Sequence, residues 1–339
     1  MKNILVVFTG GTIGSVATSG SIDTSKTAAF KLIQLFQQQY QNQAQIHFDS
    51  LQPLQILSEN LAPRAWKIII SAIVAANPDE YDGIIITHGT DTLAYTACAL
   101  SFYFNASSIP MLLVSSDHPL DHPKANGLEN FICAVEFILQ IKKGGVFVPY
   151  RNYQQTTQLH HGTHLPCSLQ LSGDFFSVQG KSYGHYENRQ FSLVNPVEHQ
   201  LPTRHLGLKA EFSERILMLK PYPGLNYANV NLENIDAILH DLYHSGTACT
   251  SPYWGENYSL IEFINRCKSL GIRVYLAPAL KSDNAYQSTR ALIEQGATII
   301  WNMSIEAAYV KLLLAYGNFT DTQDILDFMI RDIAKEHLD

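Results

Sequence analysis

Two short segments constrain the fold of this chain most, because each runs from an apolar stretch straight into a turn rich in glycine and threonine. Residues 82–92 read DGIIITHGTDT, and residues 4–14 read ILVVFTGGTIG. Each apolar run predicts a strand that is buried on both faces. In the later segment the run breaks at residues 88–89, and residues 90–92 are candidate N-cap residues for the helix that follows. Open α/β sheets bind ligands at the carboxyl ends of their strands, so both turns are candidate ligand-binding loops.

The rest of the sequence alternates between apolar runs of strand length and amphipathic runs of helix length. Over roughly the first 150 residues this alternation predicts a parallel sheet with helices on both faces. Residues 151–205 have weak periodicity and predict a segment with a hairpin, and a second α/β run begins at Arg215. We therefore predict an α/β protein with an N-terminal domain of residues 1–205 and a smaller C-terminal domain of residues 206–339. The polar stretch 15–26 predicts a loop, of a length that often forms a functional lid.

Composition excludes several classes of function. The net charge of −7 provides no basic surface for nucleic acid, and no segment approaches the roughly 20 apolar residues of a membrane helix. The five cysteines are scattered and form no CxxC pair, which is typical of proteins in the reducing cytosol. The N-terminal apolar run is too short for a signal peptide. We therefore expect a cytoplasmic protein that acts on a small molecule and binds neither nucleic acid nor a membrane.

The first turn, TGGTIG at residues 9–14, does not match a nucleotide-binding motif. Its first two glycines are adjacent, unlike those of GxGxxG, and the lysine of a phosphate-binding loop is missing. A glycine-rich turn ahead of a helix nevertheless directs free backbone N–H groups toward an anion or an oxyanion. Thr12 lies among these groups, and the alternative interpretation is a tight strand exit with a threonine cap.

The second turn places the hydroxyl of Thr90 next to the carboxylate of Asp91. A hydroxyl nucleophile needs a base to activate it, and these two residues alone do not form an activated nucleophile. Ordinary N-capping is therefore the alternative interpretation when this turn is considered by itself. The occurrence of both turns in one chain favours an enzyme.

Both turns resemble signature motifs of one family. Residues 9–14 and the ITHGTDT of residues 86–92 are similar to the two signatures of the bacterial L-asparaginase/glutaminase family, and NMSIEA at residues 302–307 resembles its DMTxEA. The short leader resembles that of the cytoplasmic, type I branch. The likeness extends over most of the chain and implies the two-domain L-asparaginase fold, with a mainly parallel sheet in each domain.

The resemblance implies a reaction and a set of site residues. Family members hydrolyse the side-chain amide of asparagine with two threonines that face one bound substrate, and these correspond to Thr12 and Thr90. Asp91 accompanies Thr90, and Asp91 and Ser58 hold the α-amino and α-carboxylate groups of the substrate. The substrate-binding residues that the resemblance implies are Ser58, Glu59, Gly11, Gly89 and Asp91.

The resemblance also implies an assembly. Family members form active sites at a dimer interface, are usually tetramers, and use no metal or organic cofactor. We therefore expect a homo-oligomer, a dimer or a tetramer, that acts on a small-molecule amino-acid substrate. The histidines at positions 160, 161 and 164 lie close together, but the chain has no HExxH motif or Cys/His framework, so no metal site is predicted.

Two activating residues of the family are replaced in this sequence. The family has a tyrosine after a glycine in the loop that follows its first threonine, whereas Ser21 follows Gly20 here and the first tyrosine is Tyr40. A serine hydroxyl is far less acidic than a phenol, whose pKa is about 10. The resemblance also implies a lysine further along the chain, which is grouped with the second threonine and the aspartate. Alignment of the strand at residues 145–148 with that of the family puts this lysine near His161.

His161 is the candidate base in place of that lysine. No lysine occurs between Lys143 and Lys181, and a histidine titrates near neutral pH. Our hypothesis is that His161 activates Thr90 or a water molecule. The alternative is a surface histidine, or one that only supports the site.

The sequence thus predicts an asparaginase-like amidohydrolase that releases ammonia from L-asparagine or a related amide by threonine-based catalysis. Two alternatives remain. One is a catalytically silent homologue that binds or senses an amino acid, and the other is a hydrolase of the same fold that acts on a different amide or ester.

Overall fold

The computed structural model describes residues 1–11, 13, 15–18, 21–24, 26–41, 43–195, 206–282 and 286–338. The chain divides into two compact units, Met1–Glu211 and Phe212–Asp339, and each unit has its own sheet. The predicted domain boundary after residue 205 coincides with the end of a segment that lies outside the described residues.

The described part of the larger unit has the following strands and helices. The strands are β1 (Lys2–Phe8), β2 (Ser15–Thr18), β3 (Ser21–Thr24), β4 (Ile46–Leu51), β5 (Gly83–Thr87), β6 (Pro110–Val114), β7 (Gly145–Arg151), β8 (Thr157–His161), β9 (Gly184–Glu187) and β10 (Gln190–Leu193). The helices are α1 (Lys26–Gln39), α2 (Pro63–Ala75), α3 (Leu93–Tyr103) and α4 (Gly127–Gln140).

Eight of these strands form one sheet in the order β10-β9-β8-β7-β6-β5-β1-β4. The strands from β7 to β4 are parallel, and β8, β9 and β10 extend the sheet as antiparallel strands. Every residue of β5 and β6 is buried, as expected of strands with helices on both faces. The predicted α/β architecture with a mainly parallel sheet is confirmed.

The strand order of this sheet reverses at β1. The chain places β4 on one side of β1, and then places β5, β6 and β7 in succession on the other side. Helices α1 and α4 share a hydrophobic core on one face of the sheet, and α2 and α3 cover the other face. The loop after β1 leads through the β2–β3 hairpin to α1, and the loop after β5 leads to α3. A crevice therefore opens between two adjacent strands at their carboxyl ends.

One connection in this sheet has an unusual hand. The β1–β4 and β6–β7 connections move in opposite directions across the sheet, although their helices, α1 and α4, lie on the same face. These two connections therefore have opposite hands. Such connections are right-handed in about 98% of cases, and those through α1, α2 and α3 share one hand. The β6–α4–β7 connection is consequently the left-handed one.

The smaller unit adds its strands in simple succession. Among its described residues, the strands are β11 (Ile216–Leu219), β12 (Ala237–His240), β13 (Arg273–Ala279) and β14 (Thr298–Trp301), and the helices are α5 (Leu260–Ser269), α6 (Gln287–Glu294), α7 (Ile305–Asn318) and α8 (Thr322–Ile330). The strands are all parallel and their order in the sheet is their order in the chain. A buried ion pair between Lys311 of α7 and Glu336 joins the segment after α8 to α7.

Two parts of the fold differ from the predictions. The stretch 15–26, predicted as a loop, contains β2 and β3, which pair in antiparallel fashion; their runs of four residues are too short to give a clear period-two pattern. The sequence pattern predicts its last helix at residues 304–315, and helix α8 lies beyond it; Asp321 caps α8 by accepting hydrogen bonds from two backbone N–H groups. In the described ranges, we find no helix with both the length and the apolar character that a bilayer crossing requires.

Candidate active site

The loop after β1 turns sharply at two glycines. Gly10 and Gly11 have φ angles of 103° and 78°, in the region that favours glycine. The Gly11 N–H donates to the Ile56 carbonyl at 3.1 Å, and the Ile56 N–H donates to the Thr9 carbonyl at 3.0 Å. These two bonds continue the sheet past the end of β1, so the segment at Ile56 runs directly alongside the turn. Thr12, the next residue, lies outside the described residues.

The loops after β1 and β5 are in direct contact. A Cβ atom added to Gly11 would lie 2.4 Å from the Gly89 backbone nitrogen. A Cβ atom added to Gly89 would lie 2.3 Å from the Ser58 hydroxyl oxygen. Both separations are far below van der Waals contact, so only glycine fits at either position. The two motifs therefore meet each other, and they also meet the segment that carries Ser58.

Ser58 joins this segment to the second motif. It begins a short 3₁₀ helix, Ser58–Asn60, and is buried. Its hydroxyl donates to Oδ2 of Asp91 at 2.9 Å, and the hydroxyl of Thr92 donates to the Ser58 carbonyl at 2.9 Å. Thr92 occupies the N-cap of α3 without a side-chain capping bond. Its hydroxyl thus serves the tertiary contact with Ser58, and the predicted N-capping by this side chain is not observed.

The side chains proposed for chemistry lie at the surface of the crevice. Thr90 is half-buried and Asp91 is exposed, so both are accessible to a ligand. Glu59, next to Ser58, is also exposed. The described part of the site therefore presents a hydroxyl and a carboxylate to solvent, above a rigid base of closely packed backbone.

A buried histidine contacts the backbone of the loop after β5. His88 follows β5, and its Nδ1 lies 2.8 Å from the carbonyl oxygen of Gly89. Its Nε2 lies 2.8 Å from the hydroxyl oxygen of Thr96 in α3, which accepts a hydrogen bond of 3.0 Å from the indole N–H of Trp66 in α2. Burial lowers the pKa of His88 to about 4, so the ring is neutral at physiological pH. This chain of contacts has no local sequence signal, because Trp66 and Thr96 belong to different helices.

The loop after β6 is built against the same edge of the sheet. The Asn126 side chain accepts from the Asp117 N–H at 2.9 Å and donates to the Arg151 carbonyl at 2.8 Å. Asp121, between them, pairs with Lys31 of α1. These contacts hold the loop beside the carboxyl ends of β6 and β7 and extend it to α1.

Comparison with known proteins identifies the fold and the motifs together. Residues 3–168 match the model described as "Asparaginase, N-terminal". The chain is 27% identical to a glutamyl-tRNA(Gln) amidotransferase subunit of Methanococcus maripaludis over 99% of this chain and 81% of the relative. The thermostable L-asparaginase of Thermococcus kodakarensis superimposes with a TM-score of 0.81 at 26% identity, covering 99% of both chains. The L-asparaginase I of Vibrio cholerae, at 23% identity, shares the fold with a TM-score of 0.80 and the same coverage.

The chain belongs to the asparaginase family. It has the two-domain L-asparaginase fold, and it is an amidohydrolase. The predicted family, fold and enzyme class are confirmed. The amide that it hydrolyses is not fixed by these similarities, because an amidotransferase subunit and an L-asparaginase match it at nearly equal identity.

In this asparaginase-family chain, His161 lies away from the crevice. Strand register aligns His161 with Phe147, Phe147 with Leu112, and Leu112 with Ile85. His161 is therefore three strands from β5, about 14 Å across the sheet, and level with the middle of β5 rather than its carboxyl end. Its ring is buried and its Nδ1 lies 3.0 Å from the Thr163 hydroxyl oxygen. This placement does not bring His161 to Thr90 and gives no support to a direct role as its base.

The remaining predicted features of the asparaginase-type site are only partly described. Ser21 lies in β3, but the structure does not describe its side chain. Within the described ranges, no group of three or more His, Cys, Asp and Glu side chains is arranged to hold a metal ion. Of the predicted site residues, the structure brings Gly11, Ser58, Gly89 and Asp91 into contact, with Thr90 between Gly89 and Asp91 in the chain.

Proposed function

We propose that this chain hydrolyses the side-chain amide of L-asparagine or a related amino-acid amide and releases ammonia. The observation that carries the proposal is the hydrogen bond of 2.9 Å between the Ser58 hydroxyl and the Asp91 carboxylate, beside the accessible hydroxyl of Thr90. These groups lie where the strand order reverses, which is the usual ligand site of an open α/β sheet.

The pair of Ser58 and Asp91 has the chemistry to bind an amino acid. The exposed Asp91 carboxylate accepts hydrogen bonds, and a charge-assisted bond to the α-ammonium group of a substrate is stronger than a neutral one. The Ser58 hydroxyl is both a donor and an acceptor, so it can turn from Asp91 to donate to the α-carboxylate. When Asp91 and Ser58 bind the α-ammonium and α-carboxylate groups in this way, the side-chain amide of the substrate is free to face the nucleophile.

We infer that the reaction proceeds through a threonine ester. The hydroxyl oxygen of Thr90 attacks the amide carbonyl carbon, and the C–N bond breaks as the hydroxyl proton is transferred to the leaving nitrogen, which departs as ammonia. Water then attacks the ester, which releases the side-chain carboxylic acid and restores the hydroxyl. The resemblance assigns a similar role to Thr12. The base remains unassigned, since His161 is not adjacent to Thr90.

A second candidate function follows from the amidotransferase relatives. The chain matches the amidotransferase subunit of Methanococcus maripaludis over 99% of its length, so it is also a candidate for the amide-hydrolysing component of an amidotransferase that works with another protein. A free-standing hydrolase is expected as a homo-oligomer, a dimer or a tetramer, that is active by itself. A kcat of the isolated chain far below the typical 1–10³ s⁻¹ would favour the second candidate.

The proposal is tested by measuring ammonia release from asparagine, glutamine and their D- and β-linked analogues with the wild-type chain and with Thr90→Val. We expect at least a thousandfold loss of kcat in Thr90→Val because the nucleophile is removed, and a smaller loss in Thr90→Ser. Thr289→Val, which removes a buried hydroxyl from the smaller unit, is the matched control and is expected to remain active.

The outcomes separate the remaining functions. A wild-type chain that releases no ammonia but melts at a higher temperature with aspartate or asparagine would be a silent amino-acid-binding homologue, because a ligand that binds only the native state stabilises it. Activity that persists in a folded Thr90→Val variant would exclude Thr90 as the nucleophile. Activity confined to larger amides or esters would point to a different substrate class.

A further inference from the structure

The side chains of Trp66, Thr96 and His88 form a chain of hydrogen bonds that ends at the second motif. The donor and the acceptor of each bond can be derived. The indole of Trp66 can only donate, so the Thr96 hydroxyl oxygen accepts its N–H at 3.0 Å. The Thr96 hydroxyl proton is then free to donate to His88 Nε2, 2.8 Å away. Since the ring is neutral and Nε2 is the acceptor, the ring proton lies on Nδ1, and it donates to the Gly89 carbonyl at 2.8 Å. Each link fixes the polarity of the next.

The last link acts on the peptide that carries Thr90. The Gly89 carbonyl and the Thr90 N–H belong to one planar, trans peptide unit and point in opposite directions. A fixed bond from His88 to this carbonyl therefore sets the plane of the Gly89–Thr90 peptide and directs the Thr90 N–H away from the core, toward the crevice side. The same planar unit ends at the Thr90 Cα atom, so this bond also restrains the position from which the Thr90 side chain starts.

We propose that Trp66, Thr96 and His88 form a one-way hydrogen-bond relay that positions Thr90 for attack on the substrate. The three relay residues are positioning residues, since they reach the substrate only through Gly89 and Thr90. All three are buried, so water does not compete for these bonds. The inference rests on the proposed function in one respect: it takes Thr90 as the reacting residue.

The smaller unit contains a matched arrangement that is not part of the candidate site. His240 ends β12, its Nδ1 bonds to the carbonyl of the next residue, Asp241, and its Nε2 lies 2.8 Å from the hydroxyl oxygen of Tyr227. Burial lowers the pKa of His240 to about 4, as it does for His88. A variant of His240 therefore loses the same kinds of bonds from a similarly buried site, which separates a positioning role from a general cost in stability.

The activity test compares substitutions that keep or remove single links. Asparagine keeps a donor at the position of Nδ1, whereas glutamine places its amide near Nε2, so we expect His88→Gln to lower kcat about 100-fold and His88→Asn to lower it less than about tenfold. Thr96→Val is expected to lower kcat about tenfold, and Thr96→Ser, which retains the hydroxyl, to restore it. KM is expected to change less than about twofold in all four, because Ser58 and Asp91 are untouched. His240→Gln is expected to lower the melting temperature with kcat within about threefold of wild type.

A second measurement does not depend on turnover. Long-range ¹H–¹⁵N correlation spectra of protein labelled at histidine report which ring nitrogen carries the proton, and we expect the proton of His88 on Nδ1. A proton on Nε2 would overturn the relay, whether or not the chain hydrolyses an amide. Equal losses of kcat in His88→Asn and His88→Gln, or wild-type kcat in His88→Gln, would overturn the positioning role. A chain with the expected tautomer that releases no ammonia would contradict only the proposed function.

Discussion

The two sheets of this chain differ in how strands are added to them. In the larger sheet the order reverses at β1, with β4 on one side and β5, β6 and β7 on the other. In the described part of the smaller unit each strand is added next to the one before it, from β11 to β14, and the order never reverses. Both sheets end in loops that contain glycine, and both have a buried histidine at or just after the end of a strand. In the described part of the larger sheet, the loops after β1 and β5 meet and bring a hydroxyl and a carboxylate together.

The candidate site lies where the strand order of the larger sheet reverses. At a reversal, neighbouring strands send their loops to helices on opposite faces, and a crevice stays open between them. In the described part of the smaller sheet, each strand is added on the same side of the one before it, so no reversal separates neighbouring loops. The contact between Gly11 and Gly89 forms the floor of the crevice, and Ser58 and Asp91 line it. The hydrogen bonds of His88 and His240 are alike, and the loop beside His88 also carries Thr90 and Asp91.

The largest effect is expected from replacing the glycine at the floor of the crevice. Gly11→Ala must place its Cβ atom 2.4 Å from the Gly89 nitrogen, whereas Gly246→Ala, at the carboxyl edge of the smaller sheet, meets no atom within 4 Å. Both positions have positive φ, 78° and 69°, so both variants incur a similar backbone cost of about 1–2 kcal/mol. Only Gly11→Ala also separates the two motifs. We expect it to lower kcat/KM at least 100-fold, and Gly246→Ala to lower it less than about threefold.

Melting temperatures and kcat/KM of the two glycine variants are the measurements. Equal losses of activity in Gly11→Ala and Gly246→Ala would break the comparison, because they would show that the two sheet edges contribute alike.

A smaller effect is expected from Ser58. Ser58→Ala removes the hydroxyl that bonds to Asp91, and we expect KM for the amino-acid substrate to rise about tenfold, the value of one charge-assisted hydrogen bond, with kcat changed less. Ser259→Ala in the smaller unit is the matched control, since Ser259 is equally buried and donates a bond of the same length, 2.9 Å, to the Thr250 carbonyl. An unchanged KM in Ser58→Ala would show that Ser58 only shapes the loop.

The smallest effect concerns the dependence of stability on pH, which the two units are expected to share. Burial lowers the pKa of His88 and His240 to about 4 and that of His160 to about 3, against about 6.5 in an unfolded chain. The unfolded chain therefore binds more protons between these values. The contribution to stability is fully present above pH 6.5 and is lost as the pH falls through 4.

His240→Gln tests this expectation in the smaller unit. The variant lacks one titrating group, so the slope of unfolding free energy against pH between 6.5 and 4 is expected to fall by up to about 1.4 kcal/mol per pH unit. Urea unfolding followed at pH 7, 6 and 5 measures the slope. If the slope stays at the wild-type value, His240 is not buried in the neutral form and the likeness between the two histidines fails.

The sequence predicted the strands and helices of the larger unit where their apolar runs were long. Predicted strand 82–87 corresponds to β5 (Gly83–Thr87), and the predicted helix after residue 92 corresponds to α3 (Leu93–Tyr103). Fully apolar runs between turn residues specify such elements locally. The hairpin of β2 and β3 was not accessible, because two runs of four residues do not separate a strand from a loop.

The candidate site was predictable only where its residues are adjacent in sequence. Thr90 and Asp91 are visible as neighbours in one motif. The relay through Trp66 and Thr96 depends on how two helices pack on one face of the sheet, which no local pattern encodes. His161 is the opposite case: its place in an alignment suggested a base, but it is the last residue of β8, three strands from β5 and level with the middle of that strand. Register is a tertiary property, so it appears only in the structure.

The left-handed β6–α4–β7 connection has a consequence for the way this family can diversify. Because α4 lies on the same face as α1, the chain between β6 and α4 must cross the carboxyl edge of the sheet, and the pair of Lys31 and Asp121 ties this crossing to α1. The crossing segment therefore borders the crevice without being part of the sheet. Insertions and substitutions in it can reshape the space available to the far end of a substrate while the candidate site residues and the fold stay the same. Relatives that share this scaffold but act on amides of different size are expected to differ first in this segment.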